Sequence, residues 1–470
     1  MVSFQPFRGF VYHPDEIKRH GTLLTSPPYD VLTDGQREFY YSSHEHNFLH
    51  VDLGRVLDGD VDGMAWHERS GRLLKEWLEG GVLVRTDIPA VFLVETSWIH
   101  PLTGEPLTRH GFIGLMRLEE PGPDAAVRLH EQTFSFHKME RLDLMLKTQA
   151  QLSPIFGFFP DPGNASLNLL YSLAADRLPD IALKDGAGEE HRVYFLTRPE
   201  EYGPLTLALS RSTVYIADGH HRYMTTLNYR RELSLKLARE KAPPLPPESP
   251  LDYVMTYLSP MGDPGLCVLP THRILKTSPY GNDELLRRLG EFADVRLFSH
   301  SDGGKGAALE TLKEKLQEDS KKGLTVFGLF LNGADYFVFV KVKEKAKEAL
   351  SLERPEESSL SLLDVSILTN VILKKGLSLT EDRLDDPDCI SYVSETAEAL
   401  ELVEQGARAA FILNPTSLSD ILKVTEAGFV MPRKATYFYP KVRNGLVINV
   451  VDPYESLSAP AARRAGEGAC

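Results

Sequence analysis

Cysteine is scarce in this chain. Cys267, Cys389 and Cys470 are the three present among 470 residues, and they stand far apart. That spacing gives neither a zinc knuckle nor a disulfide framework, and it points to a reducing compartment. Long apolar runs are missing, so no segment reads as a membrane helix. The opening Met1-Val2-Ser3-Phe4-Gln5-Pro6 lacks the basic and apolar regions of a signal peptide. Positive charge is in short supply. With 52 Lys and Arg against 66 Asp and Glu, the formal net charge is −14, which argues against broad affinity for nucleic acid or anionic membranes. Standard nucleotide signatures are also absent. Gly303-Gly304-Lys305-Gly306 does not complete a P-loop, and no Gly-x-Gly-x-x-Gly fingerprint or Gly-x-Ser-x-Gly elbow occurs. His44-Glu45-His46 with His50 has the spacing of metal ligands but no motif context, so no metal site is assigned. The expectation is a soluble cytoplasmic protein without nucleic-acid or membrane partners.

What is present is enough apolar sequence for sizeable cores, 42% against 25% charged, and one dense motif. Tyr215-Ile216-Ala217 reads as a short strand that stops at Asp218-Gly219-His220-His221-Arg222. Gly219 permits a positive φ or a close approach to a ligand. Arg222 offers a planar fork suited to phosphate or carboxylate. After the turn, Met224, Leu227, Leu235 and Ala238 recur at helical spacing, so the motif is expected at a helix N-terminus, where anions are favoured. The alternative is a loop holding a buried, hydrogen-bonded histidine pair.

The clearest break is Ala242 to Pro250. Four prolines lie between Pro243 and Pro247, too many for a helix or a central strand. It marks a domain boundary or a long crossing between elements. Before it, Ala90 to Trp98 and Gly111 to Leu118 read as strands, and Phe136 to Leu152 as a helix with Met139, Leu142, Leu146 and Ala150 on one face. After it, Leu324 to Leu331 and Tyr336 to Val342 flank Asn332-Gly333 as a hairpin. Ala409 to Leu413 is a strand, Ser417 with Asp420 starts a helix that Gly428 closes, and Gly445 to Val451 is a last strand. The expected organisation is α/β (α+β), with domains at 1–242 and 251–455, a linker at 243–250 and a disordered tail at 456–470.

Three further groups can carry chemistry. His130-Glu131 precedes a helix on which Lys138 and Arg141 lie three apart, a base beside an anion clamp. His272-Arg273 ends an apolar stretch and reads equally as an exposed strand terminus. Lys434, Thr436 and Tyr437 lie between Pro432 and Pro440 with Lys441 directly after, a candidate accessory anion site or simply aromatics packed on a core.

Taken together these segments resemble a family known as domain of unknown function 1015. The matching pieces are Pro28-Tyr29-Asp30-Val31, His130-Glu131 with Thr133, Arg141-Leu142, Ser153-Pro154-Ile155, Ile216 to Tyr223, Pro270 to Arg273, Asn414-Pro415-Thr416 and Met431 to Lys441. A narrower resemblance concerns the motif itself. Asp218-Gly219-His220-His221-Arg222 is similar to the motif of free-serine kinases built on the ParB/sulfiredoxin fold. That resemblance implies an N-terminal ParB/sulfiredoxin-like domain and a nucleotide whose phosphates sit at Gly219, His220, His221 and Arg222, supported by Arg141 and Lys138. It implies ATP or ADP with Mg²⁺, and an upstream glutamate as base, for which Glu131 is the candidate by chain order. Asp218 orients a histidine or the metal. The long interval from Glu131 to Asp218 implies an insertion or a different acid.

The expected function is a nucleotide-dependent phosphotransferase acting on a small hydroxylated metabolite, with free serine one candidate. The alternatives are a ParB-like nucleotide-binding regulatory module without turnover, or a phosphate-ester hydrolase. The sequence says nothing of oligomeric state.

Overall fold

A computed structural model describes residues 1–57, 60, 65–122, 124–131, 135–301, 303–353, 358–432 and 434–457, excepting the side chains of 135–138 and 358. The fold is mixed α/β, with two compact units. The first comprises residues 1–129, 133–266 and 440–470, the second 130–132 and 267–439.

The first unit is organised on a nine-stranded sheet. Its strands run in the order 127–128, 214–218, 155–159, 253–260, 106–117, 91–99, 190–196 and 181–184, with the strand Phe4–Gln5 paired to 106–117. Pairing is antiparallel except for 214–218 with 127–128 and 253–260 with 155–159. The two motif-proximal strands are apolar along their whole length. Ile155–Phe159 is buried at every position and Val214–Asp218 at all but its last, as expected of strands covered on both faces. Val214, Ile216, Ile155 and Leu258 share a core cluster with Tyr223 and Leu227 from the helix His220–Arg239. Burying each such side chain stabilises the helix's seat by roughly 1.5–3 kcal/mol.

The strand Tyr253–Pro260 is hydrogen-bonded on both sides within this sheet. The proline-rich stretch 243–250 is therefore a crossing inside the first unit, and the chain passes to the second at Cys267. It returns at Pro440, so Lys441 belongs to the first unit.

Two helices differ from their expected faces. In Ser135–Thr148 the buried stripe is Arg141, Leu144, Met145 and Thr148, while Met139 is 66% exposed. This stripe, at i, i+3, i+4 and i+7, is helical like the more apolar one at i, i+3, i+7 and i+11, and it lies between the helices Ala65–Glu79 and His220–Arg239. In the long helix, Leu235 is exposed because the last turns extend beyond the core. Lys138 lies in the first of these helices, but its side chain falls outside the described residues.

The second unit has a six-stranded antiparallel sheet in the order 293–299, 336–342, 326–331, 409–412, 272–275 and 390–393. The hairpin around Asn332-Gly333 forms as expected, with Gly333 at φ 71°. Ser417 caps the helix Leu418–Glu426 by accepting from the Asp420 N–H at 3.1 Å, and Gly428 follows at φ 81°. The expected last strand shortens to Asn449–Val450, which pairs with Gln151 and Ala150, while Ile448 forms an isolated bridge to Phe10. Residues 458–470 of the expected tail lie outside the described residues. Among the described residues no helix is long and apolar enough to cross a membrane.

Candidate functional site

The turn at Asp218 is shaped by two backbone features. The register of 214–218 against 155–159 slips between Ile216 and Asp218, a bulge of the kind that re-aims side chains at strand ends. Gly219 then takes φ 90° and ψ 26° as N-cap of the 20-residue helix. A Cβ at this position would meet the Arg222 guanidinium and the Ile155 side chain at 3.1 Å. Glycine is thus required twice, by conformation and by contact.

Asp218 is the centre of the turn. Arg222 Nη2 donates to Oδ2 at 2.5 Å, and Lys441 Nζ donates to Oδ1. The second nitrogen of the fork, Arg222 Nη1, donates to the Pro154 carbonyl at 2.5 Å. Burial alone would raise the Asp218 carboxyl. Lys441 and Arg222, with His220, outweigh it and hold the acid well below the usual carboxylate range. Asp218 is therefore an ionised anchor for two cations, not a proton acceptor. His220 is buried and His221 half-buried at the start of the helix.

A second cluster adjoins this one through Arg222. Arg141 is 7% exposed, and its Nη1 donates to the backbone carbonyl of Asp52 at 2.8 Å and to Oδ1 at 3.2 Å. The Asp52 Oδ2 accepts from Asn444 Nδ2 at 2.7 Å. The Tyr29 ring lies against the guanidinium, 3.3 Å from Cζ to centroid. Burial raises the Asp52 carboxyl, against the lowering influence of Arg141 and Arg222. The remaining edge of Arg141, Nε and Nη2, has no hydrogen-bond partner among the described residues, and neither has the buried Thr225 Oγ1. Arg141, Thr225 and Arg222 line one cavity of about 50 Å³ with apolar walls that include Leu144, Leu152 and Val254. Nε and Nη2 are the parallel donors through which a guanidinium takes a carboxylate side-on.

Asp218, Gly219, His220, His221, Arg222, Arg141 and Lys441 all belong to the first unit. Glu131 belongs to the second, where it bridges Met431. His272 and Arg273 are not an exposed strand end, because both are buried. His272 Nδ1 accepts from the Leu413 N–H at 3.2 Å and Nε2 meets Thr396 Oγ1 at 3.2 Å. Burial, then Arg273, pushes this imidazole down to about 3. Thr436 Oγ1 meets His130 Nε2 at 3.0 Å, Tyr437 is in the strand Tyr437–Tyr439, and Lys434 is exposed at φ 54°.

Sequence reasoning assigned no role to Tyr29, Asp30, Asp52 or Asn444. A signal existed for Asp52, a lone acid in the apolar run Phe48 to Leu53. Asp30 is exposed beside Tyr29 and acts electrostatically on Arg222 and Asp52. Elsewhere in the first unit Asp185, Glu189 and His191 lie close enough to share an ion. Arg443 Nη1, however, donates to Asp185 Oδ2 at 2.7 Å and supplies the positive charge there.

No curated protein matches the sequence. Solved structures similar to the chain include a free serine kinase in complex with AMP, 13% identical, covering 67% of this chain and 83% of that one. A conserved hypothetical protein from Pyrococcus furiosus is 14% identical, covering 71% and 97%. SbnI with C-terminal truncation from Staphylococcus aureus is 9% identical, covering 72% and 87%. Each has a TM-score of 0.30, which leaves the chemistry of the site to its own residues. The model of the family described as "Protein of unknown function (DUF1015)" matches residues 4–366, and the chain belongs to that family.

Proposed function

We propose that the first unit is a nucleotide-dependent phosphotransferase module of ParB/sulfiredoxin-like type acting on a small hydroxylated metabolite. The observation that carries this reading is the convergence of Lys441 and Arg222 on Asp218 at the N-terminus of the helix His220–Arg239. Two cations anchored by one acid, at the positive end of a helix dipole, form a positive field suited to phosphates. Phosphoryl transfer depends chiefly on positioning and charge neutralisation, which such a cluster supplies.

Because both ends of the Arg222 fork are taken, its part is to position Asp218 and the turn. Direct phosphate contact falls to Lys441 and the first helical turn. The nucleotide, ATP or ADP, would bring Mg²⁺ with it, and Asp218, held between two cations, does not fit as a ligand for that ion. The acceptor's hydroxyl oxygen forms the new P–O bond while the bond from the transferred phosphoryl group to the rest of the nucleotide breaks. The hydroxyl proton passes to a carboxylate. Asp30 is our candidate within the same unit, and Glu131 is the competing one. An acceptor bearing a carboxylate, such as serine, would place it on the free edge of Arg141.

Titration with Mg²⁺ and ATP, ADP or CTP tests the binding half of this reading. Loss of phosphotransfer in Asp30→Asn with retained nucleotide binding, and its persistence in Glu131→Gln, tests the base. A regulatory nucleotide-binding module without turnover is favoured by one observation, the saturation of Asp218 by its cations. Binding without transfer to any hydroxylated acceptor would select it.

A further inference from the structure

The second unit contains a buried cation without a counter-ion. Arg273 is 3% exposed. Its Nη1 donates to the Thr271 carbonyl and its Nη2 to the Lys434 carbonyl at 3.2 Å, and its Cζ stands 5.5 Å from the Tyr392 ring centroid. These are neutral partners, and among the described residues no carboxylate pairs with it. Burial pushes the guanidinium down to about 10, the direction expected of a charge that its surroundings leave uncompensated. By contrast Arg141, Arg222 and Arg443 in the first unit are each paired with an aspartate.

Arg273 lines a cavity of about 600 Å³ that lies entirely within the second unit. Part of its wall is Thr369, Asn370 and Lys374 from the π-helix Leu368–Gly376, a helix type that recurs at functional sites. Ser366 also lines it. This side chain is 2% exposed, and its Oγ has no hydrogen-bond partner among the described residues. A buried positive charge and a buried hydroxyl without a partner thus face one polar space. An anion there would neutralise the first and bond the second.

We propose that this cavity is a binding site for a small organic carboxylate, with Arg273 neutralising the anion and Ser366 donating to it. The charge inventory selects a monoanion over a phosphate. Arg273 offers one net compensating charge, because Lys374, the other cation on the wall, is already paired with Glu381. The proposal is independent of the phosphotransferase reading, since no residue of the Asp218 turn takes part.

The test is a titration of the full chain, in an Arg222→Ala background, with lactate, serine, glutamate and inorganic phosphate. It is followed by calorimetry and by the dependence of Tm on ligand concentration. A carboxylate is expected to bind and phosphate to bind at least tenfold more weakly. Ser366→Ala is expected to weaken the carboxylate roughly tenfold, the loss of one hydrogen bond to a charged group. Arg273→Gln is expected to abolish the concentration dependence of Tm whatever it does to Tm itself. Ser366→Ala alone decides the matter if Arg273→Gln does not fold. Binding of no carboxylate, tighter binding of phosphate, or carboxylate affinity unchanged in Ser366→Ala would overturn the proposal.

Discussion

Lys441 and Asp218 are 223 residues apart in the chain, yet their side chains form a largely buried ion pair inside one folded unit. The chain leaves that unit at Cys267 and returns at Pro440, one residue before the lysine. Asp218 also holds Arg222, so three charges share one small volume.

A ranking of variants follows from that count. Asp218→Ala leaves two buried cations facing each other without an acid, whereas Lys441→Ala leaves the Asp218–Arg222 pair intact. Urea denaturation is expected to show a loss of about 1–3 kcal/mol for Lys441→Ala and a larger one for Asp218→Ala. Equal losses would mean that the lysine and the arginine are not both anchored by the aspartate.

At Gly219 the positive φ and the 3.1 Å contacts act together. Gly219→Ala is expected to destabilise by about 1–3 kcal/mol. Gly290 is a control of opposite sign. It lies within the helix Asn282–Phe292 and a Cβ there meets nothing within 4 Å, so Gly290→Ala should stabilise by up to about 1 kcal/mol. Chemical denaturation of the two variants reads both signs.

His110 makes the first unit sensitive to alkali. Its Nε2 lies 2.9 Å from Glu95 Oε1 and its Nδ1 3.4 Å from Asp263 Oδ2. Burial would lower this imidazole, but Asp263 and Glu95 outweigh it and raise it to about 9. A raised folded-state value stabilises fully below the unfolded value near 6.5 and is lost as pH rises through about 9. Melting curves should therefore fall by roughly 1–3 kcal/mol over that interval, and His110→Gln should flatten the profile.

His272 in the second unit behaves oppositely. Its folded value of about 3 keeps it neutral, so below about pH 6.5 the unfolded chain binds a proton that the folded chain refuses. Stability is expected to decline as pH falls from 6.5 toward 3, by the order of a few kcal/mol. An NMR titration in which the His272 ring shifts with a midpoint near 6.5 would contradict the burial account.

The strand, the turn and the helix around Asp218 were legible because each is specified locally. An apolar run sets the strand, a glycine the turn and helical spacing the start of the helix. The hairpin at Asn332-Gly333 and the cap at Ser417 were legible for the same reason. The orientation of Ser135–Thr148 was not, because two stripes had helical spacing and the buried one contains Arg141. Hydropathy ranks an arginine outward, whereas Asp52 and Tyr29, distant in sequence, make its burial possible. Lys441 was identified as a candidate cation, but its partner depends on the return of the chain at Pro440, which no local pattern encodes. At Pro243 to Pro247 composition marked a break in regular structure, and the sheet partners of 253–260 make that break a crossing within the first unit.

The central claim is that the cations anchored on Asp218 serve a nucleotide's phosphates. Calorimetric titration of the full chain with Mg²⁺ and ATP, ADP or CTP, beside Lys441→Ala and Arg222→Ala, tests it most directly. The account predicts micromolar binding of at least one nucleotide, weakened roughly tenfold or more in both folded variants. Binding of no nucleotide, or binding that both variants leave unchanged, would contradict it.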